Sequence, residues 1–221
     1  MSQSHMVKDG EHLSGIAERY GFAGIDPIWD HPANAALREQ RQDPNVLHPG
    51  DCLVIPDREA KSVTGATQTR HQFHLTRETL SLRLKLQRAF GTPIADTPCD
   101  LLVGLNRCEL RTDGEGALSR RIPTTATRAG LLIREVAPVR GQQALLETGV
   151  PIRIGALDPV TEPSGQVARL ANLGYYRAAP DPIDADELAS SIEEFQCENG
   201  LPLTGACDPA TQARLTECHG C

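Results

Sequence analysis

The sequence is poor in aromatic residues and contains no long hydrophobic run. Only 4% of its 221 residues are aromatic, and Trp29 is the single tryptophan. Cores built from such a chain consist mainly of Leu, Ile, Val and Ala, which favours several modest cores over one large one. No apolar run approaches the ~20 residues that cross a bilayer, so we expect no transmembrane helix.

Clusters of basic residues are also missing, and we expect no secretory leader. The formal net charge is −7, and no run of Lys or Arg offers the binding surface that nucleic-acid phosphates or anionic membranes attract. We therefore expect neither a nucleic-acid nor a membrane partner. The N-terminus has no apolar core segment followed by small residues, so we predict no signal peptide.

Hydrophobic periodicity divides the chain into four segments and predicts a multidomain α+β protein. Residues 1–57 read as strand, helix, helix and strand, with Pro32 interrupting a helix that starts near Asp26. Residues 58–70 are polar and are predicted to be a linker. Residues 71–158 contain several short strands, and residues 159–221 read as three helices.

The middle segment carries the clearest strand pattern. Leucines at 80, 82, 84 and 86 alternate with polar residues, which is the period of a half-buried strand. The sequence Asp113-Gly114-Glu115-Gly116 predicts a tight turn. Several short strands joined by turns predict a β-sandwich over 71–158.

The helical segment contains three start and stop signals. The first helix is predicted to end at Leu173-Gly174, where glycine suits a left-handed cap. The second is predicted over Asp184 to Gln196, with acidic residues in its first turn. Asp208-Pro209 predicts the start of the third helix, with Asp as N-cap and Pro at the first position.

The N-terminal segment resembles a LysM module. The resemblance is carried by Val7 to Ser14, by Ile16-Ala17, Tyr20-Gly21 and Asn34, and by the closing stretch Pro44 to Pro56. It implies a βααβ fold that binds the N-acetylglucosamine backbone of peptidoglycan. The groove implied by the family lies between two loops, whose residues here are Gly10, Glu11, His12 and Leu13, and Asn45, Val46, Leu47 and His48. Trp29 is either a sugar-stacking platform or a core residue.

The C-terminal segment resembles the three-helix peptidoglycan-binding domain that accompanies many wall hydrolases. The matching frame consists of Val167, Leu170, Leu173-Gly174-Tyr175, Ile192, Glu194-Phe195-Gln196, Gly200 to Gly205, Pro209, Thr211 and Leu215. The middle segment, through Thr112 to Gly116, is similar to immunoglobulin-like or transthyretin-like sandwiches.

The whole arrangement resembles LysM proteins encoded near type VI secretion spikes or related contractile injection machinery. The stretch Ile154 to Pro159 and the end His219-Gly220-Cys221 carry this similarity. Three hypotheses follow: a non-catalytic peptidoglycan binder, an adaptor that docks a secretion spike or a toxin, and a wall hydrolase. The first implies a chain that is cytoplasmic before export and acts in the periplasm or at the cell wall by a non-classical route.

No catalytic constellation is evident in the sequence, so we predict that the protein is not an enzyme and needs no cofactor. The chain has an odd number of cysteines, seven, of which four lie near the C-terminus. The family fold implies that Cys197 and Cys207 lie close enough for a disulfide. The alternative is a zinc site formed by Cys197, Cys207, Cys218 and Cys221, but we predict no metal.

Overall fold

The N-terminal elements follow the predicted order of strand, helices and strand. A computed structural model describes residues 2–41, 43–58, 62, 64–72, 79–88, 91–139 and 142–220. Strands β1 (Gln3–Met6) and β2 (Cys52–Ile55) pair antiparallel, from Gln3 opposite Ile55 to Met6 opposite Cys52. Between them lie α1 (Leu13–Arg19), α2 (Asp26–Trp29), a 3-10 helix (Pro32–Asn34) and α3 (Ala35–Arg41).

Two prolines and one buried amide explain how the helical region is divided. Pro27 stands in the first turn of α2 and Pro32 starts the 3-10 helix, so the predicted interruption at Pro32 is confirmed. The Asn34 side chain donates to the carbonyls of Ile28 and Val54 and accepts from the Val54 N–H, each at 2.8 Å. These bonds fix the 3-10 helix to β2.

Six strands of the middle segment form two antiparallel sheets. Strands β3 (Thr79–Lys85) and β6 (Ala117–Pro123) pair with each other. Strands β4 (Pro98–Val103), β5 (Asn106–Arg111), β7 (Arg128–Val139) and β8 (Gln142–Arg153) form a second sheet in the order β5-β4-β7-β8. Both sheets contribute to one hydrophobic core, in which Leu101 and Leu131 of the larger sheet are buried with Leu118 and Ile122 of the smaller.

The hairpin of β7 and β8 is longer than its neighbour in the sheet. Each strand has 12 residues, but β4 pairs only with the stretch Gly130 to Ile133 of β7. In the part beyond β4, Val136 lies directly opposite Leu145, and both side chains are exposed, as is Leu146. The hairpin therefore presents an unpaired apolar surface.

The C-terminal segment forms three helices, as predicted: α4 (Pro163–Leu173), α5 (Ala185–Glu198) and α6 (Pro209–His219). Gly174 caps α4 with a φ of 93°, and Asp184 and Asp208 cap the starts of α5 and α6. Val167, Leu170, Ile192, Phe195 and Leu215 form the buried core. No helix in the described ranges is long and apolar enough to cross a membrane.

The chain divides into two compact units. One contains residues 1–6, 13–37 and 52–154, and the other contains residues 7–12, 38–51 and 155–221. The division passes through the predicted N-terminal segment 1–57. The loops expected to form the glycan groove, except Leu13, therefore belong to the same unit as the C-terminal helices.

Candidate functional site

The first predicted glycan loop is a tight turn from Lys8 to Glu11. The Glu11 N–H donates to the Lys8 carbonyl at 3.1 Å, and Gly10 has a φ of 76°. A positive φ at the third position is typical of a type II turn, where glycine is favoured. The Glu11 carboxylate accepts a hydrogen bond from the Lys8 N–H at 3.1 Å, so it helps to hold its own loop.

The second predicted loop ends in a turn of the same kind, from His48 to Asp51. The Asp51 N–H donates to the His48 carbonyl at 3.0 Å, and Pro49 and Gly50 occupy the central positions, with a φ of 97° at Gly50. Earlier in the loop, the Asn45 N–H and its side-chain amide both donate to the Asp43 carboxylate. The loop is thus shaped by its own polar side chains.

Backbone hydrogen bonds from Val7 connect the segments that carry these two turns. The Val7 N–H donates to the Asp51 carbonyl at 2.8 Å, and the Gly50 N–H donates to the Val7 carbonyl at 2.9 Å. The structure therefore brings Gly10, Glu11 and His12 into one unit with Asn45, Val46, Leu47 and His48. Leu13 begins α1 in the other unit.

A nearly buried ion pair supports the second turn. Asp51 accepts two hydrogen bonds from the Arg41 guanidinium and one from the His48 N–H, all at 2.8 Å. Burial raises the pKa of the Asp51 carboxyl, but the Arg41 and His48 contacts outweigh it and hold that pKa below its usual range. This pair could not be predicted from the sequence, since neither residue belongs to a recognisable pattern on its own.

Only half of the predicted groove residues are accessible to a ligand. His12, Leu13, Val46 and Leu47 are buried, with exposed fractions of 5%, 0%, 6% and 4%. Gly10, Glu11 and His48 are half-buried and Asn45 is exposed. Trp29 is also buried, which favours its reading as a core residue over a sugar-stacking platform.

Gly155 lies against the first loop. A Cβ atom at this position would be 2.6 Å from His12 Cδ2 and 3.1 Å from the Gly10 carbonyl oxygen, and Gly155 itself has a φ of 76°. Glycine is required there by both the backbone conformation and the close approach. The segment that precedes α4 thus covers the side of the loop on which His12 lies.

Gln196 organises the loop between α5 and α6 in the C-terminal domain. Its side-chain oxygen accepts from the Thr204 and Gly205 N–H groups at 2.8 and 3.2 Å. Its amino group lies 2.9–3.0 Å from the Thr204 and Thr211 hydroxyls and the Ala206 carbonyl. Gln196 is fully buried, so this side chain acts as the internal support of the loop.

Two tyrosines that follow α4 connect this segment to α5. The Tyr175 ring packs edge-on against Phe195, and its hydroxyl donates to the Glu198 carboxylate at 2.7 Å. Burial, followed by the contact with Glu198, raises the pKa of Tyr175 well above its ordinary value. The Tyr176 hydroxyl accepts from the Asp184 N–H at 3.1 Å, directly at the start of α5.

The structure does not join the cysteines in the predicted way. Within the described part of the chain, all six cysteines are free thiols, including Cys197 and Cys207. Cys197 is exposed on α5, and Cys207 is half-buried in the loop before α6. Burial raises the pKa of the Cys207 thiol to about 11. The described residues contain no metal-binding cluster, and Cys221 of the zinc alternative lies outside them.

Comparison with known proteins identifies the C-terminal domain. Residues 167–215 match the family model described as "Putative peptidoglycan binding domain". This match covers all of α5, most of α4 and α6 and the Gln196 loop, and it confirms the resemblance found in this segment. Neither the curated proteins nor the solved structures contain a match to the chain.

Proposed function

We propose that the protein is a non-catalytic peptidoglycan-binding protein whose C-terminal domain makes the principal contact with the wall. The family match over residues 167–215 is the observation that supports this function most strongly. The matched residues also fold as three capped helices with an internally supported loop, as the family match requires. On this proposal the chain acts in the periplasm or at the cell wall.

The N-terminal segment is proposed to be a LysM-type module that adds a second, weaker glycan contact. Its support is the order of its elements and the two type II turns at the positions where the family places its groove. Because His12, Leu13, Val46 and Leu47 are buried, the contact would be made by Gly10, Glu11, Asn45 and His48. Two weak contacts on one chain raise the apparent affinity through effective concentration.

The middle segment is proposed to be an immunoglobulin-like or transthyretin-like sandwich. One structural feature favours a second function for it, as the docking domain of a contractile secretion adaptor. The exposed pair Val136 and Leu145 lies on a hairpin that extends beyond the rest of its sheet. Exposed apolar surface of this kind is common where proteins meet partners.

The test of the main proposal is sedimentation of the full-length chain with purified insoluble peptidoglycan sacculi. We expect the protein to sediment with sacculi, to remain soluble with cellulose, and to be released by soluble peptidoglycan fragments. The double variant Asn45→Ala/His48→Ala is expected to bind more weakly but still to sediment. A protein that stays in the supernatant with sacculi would contradict the proposal, and release of dye from labelled sacculi would favour the hydrolase.

A further inference from the structure

Charge is distributed unevenly along this acidic chain. Residues 155–221 contain eleven acidic and three basic side chains, whereas residues 79–154 contain eleven basic and seven acidic ones. The middle segment is therefore net positive although the whole chain carries −7. A wall-binding function assigned to the C-terminal domain leaves this positive charge unexplained.

Part of the positive charge is concentrated on the outer face of the smaller sheet. In β3, the leucines at 80, 82 and 84 pack on the core, so the alternate residues Ser81, Arg83 and Lys85 point to the other side. Ser81 lies opposite Arg121 and Arg83 lies opposite Ser119 in β6. We name this surface the basic face; its residues are Ser81, Arg83, Lys85, Ser119 and Arg121, and all are exposed.

The two arginines of the basic face are available for a ligand. Neither Arg83 nor Arg121 makes a hydrogen bond or ion pair with another residue in the described ranges, and Lys85 reaches only Glu115, at 3.9 Å. Arg83 and Arg121 are diagonal neighbours across the two strands, a relation that puts their Cβ atoms about 7 Å apart or slightly less. Each guanidinium can bind a carboxylate through two parallel hydrogen bonds, and the neighbouring serines supply further donors.

We propose that the basic face binds the carboxylates of peptidoglycan stem peptides, so that the middle segment forms a further contact with the wall. This inference rests on the proposed function, because that function supplies the polymer. Stem peptides carry closely spaced free carboxylates, which complement a row of unpaired guanidinium groups. Nucleic acid is a poorer fit, since the chain as a whole is acidic and would repel an extended phosphate backbone.

The test compares two double variants of the full-length chain that remove the same charge. Arg83→Gln/Arg121→Gln neutralises the basic face. Arg120→Gln/Arg128→Gln is the matched control, because both arginines are exposed and lie outside the basic face: Arg120 is opposite Leu82 in the smaller sheet, and Arg128 is in β7 of the other sheet. Arg107 and Arg134 are unsuitable as controls, since both pair with the buried Asp100. Thermal unfolding should be similar for all three proteins.

Binding is measured at low and high salt on intact sacculi and on glycan strands freed of peptide by an amidase. We expect Arg83→Gln/Arg121→Gln to bind intact sacculi about fivefold more weakly at low salt, with a smaller salt dependence. The affinity of the wild type and of the control should fall by a similar factor when peptide-free strands replace intact sacculi. The affinity of the basic-face variant should not change between the two materials. Equal binding and equal salt dependence of all three on intact sacculi would overturn the proposal.

Two other outcomes separate this inference from its alternatives. If no variant binds either material, the proposed peptidoglycan function fails, and the inference fails with it. If sacculi binding is unchanged but duplex DNA binds the wild type more tightly than Arg83→Gln/Arg121→Gln, the basic face serves nucleic acid and the stem-peptide proposal is wrong.

Discussion

Gln196 is fully buried and makes five side-chain hydrogen bonds that support the loop between α5 and α6. We expect Gln196→Leu to lower the free energy of unfolding by about 2–4 kcal/mol, because it leaves the Thr204 and Gly205 N–H groups and the buried Thr211 hydroxyl without this partner. Gln212→Leu is the control, since its amide makes a single described bond, to the Cys207 carbonyl at 2.9 Å.

Urea unfolding measures both Gln variants, and sacculi sedimentation reports whether the loop matters for binding. Gln196→Leu should lose wall binding more than Gln212→Leu does. Equal unfolding midpoints for the two variants would show that the hydrogen bonds of Gln196 contribute little net stability.

The pair of Asp51 and Arg41 predicts a loss of stability in acid. A carboxyl whose pKa is lowered by folding stabilises the native state above its unfolded pKa of about 4, and this contribution disappears as the pH falls through the folded value. We expect Asp51→Ala to lower the free energy of unfolding by about 2–3 kcal/mol at pH 7, because it removes the carboxylate that pairs with the nearly buried Arg41 guanidinium. The cost should shrink towards pH 2.

Urea titrations at pH 7, 4 and 2 measure this effect. Asp43→Ala is a suitable control, because its carboxylate accepts two hydrogen bonds from Asn45 and forms no ion pair with any residue that the structure describes. If the difference between wild type and Asp51→Ala is the same at every pH, then the ion pair is not the source of the stability.

At the scale of elements, the connection before α4 depends on a glycine. Gly155 and Gly91 have nearly the same positive φ, 76° and 75°, but a Cβ at Gly91 would meet no atom within 4 Å. We expect Gly91→Ala to lower the free energy of unfolding by about 1 kcal/mol, through backbone strain alone. Gly155→Ala should lower the free energy of unfolding by about 1–3 kcal/mol more than Gly91→Ala does, because its methyl group would overlap His12. Equal losses, measured by chemical denaturation, would mean that the loop simply moves aside.

Element boundaries could be predicted where local chemistry decides them. The Asp208-Pro209 start of α6, the Gly174 cap and the alternating leucines of β3 all lie where the sequence predicted them. The length of the β7–β8 hairpin was not evident from the sequence, which predicted only several short strands over residues 71–158. That length depends on pairing between distant residues, which leaves no local periodic signal.

At the scale of the whole molecule, the C-terminal domain could be identified from the sequence. The placing of the N-terminal loops in one compact unit with that domain could not. The helical frame that ends at Leu215 is a local pattern, and the family match confirms it. The accessibility of the predicted groove could not be read from the sequence, since the burial of Val46 and Leu47 and the approach of Gly155 depend on tertiary packing. No local pattern in the sequence decides whether Cys197 and Cys207 pair, and in the structure both are free thiols.

The position of β8 at the edge of its sheet has a consequence for behaviour at high local concentration. An edge strand leaves one row of backbone groups open to pairing with a strand from another molecule. Pro151 has no N–H to offer an incoming strand, which protects the C-terminal half of β8. The stretch Gln143 to Gly149 has no proline and exposes Leu145 and Leu146. Molecules crowded on a surface would therefore self-associate first through this stretch, by extending one sheet into another.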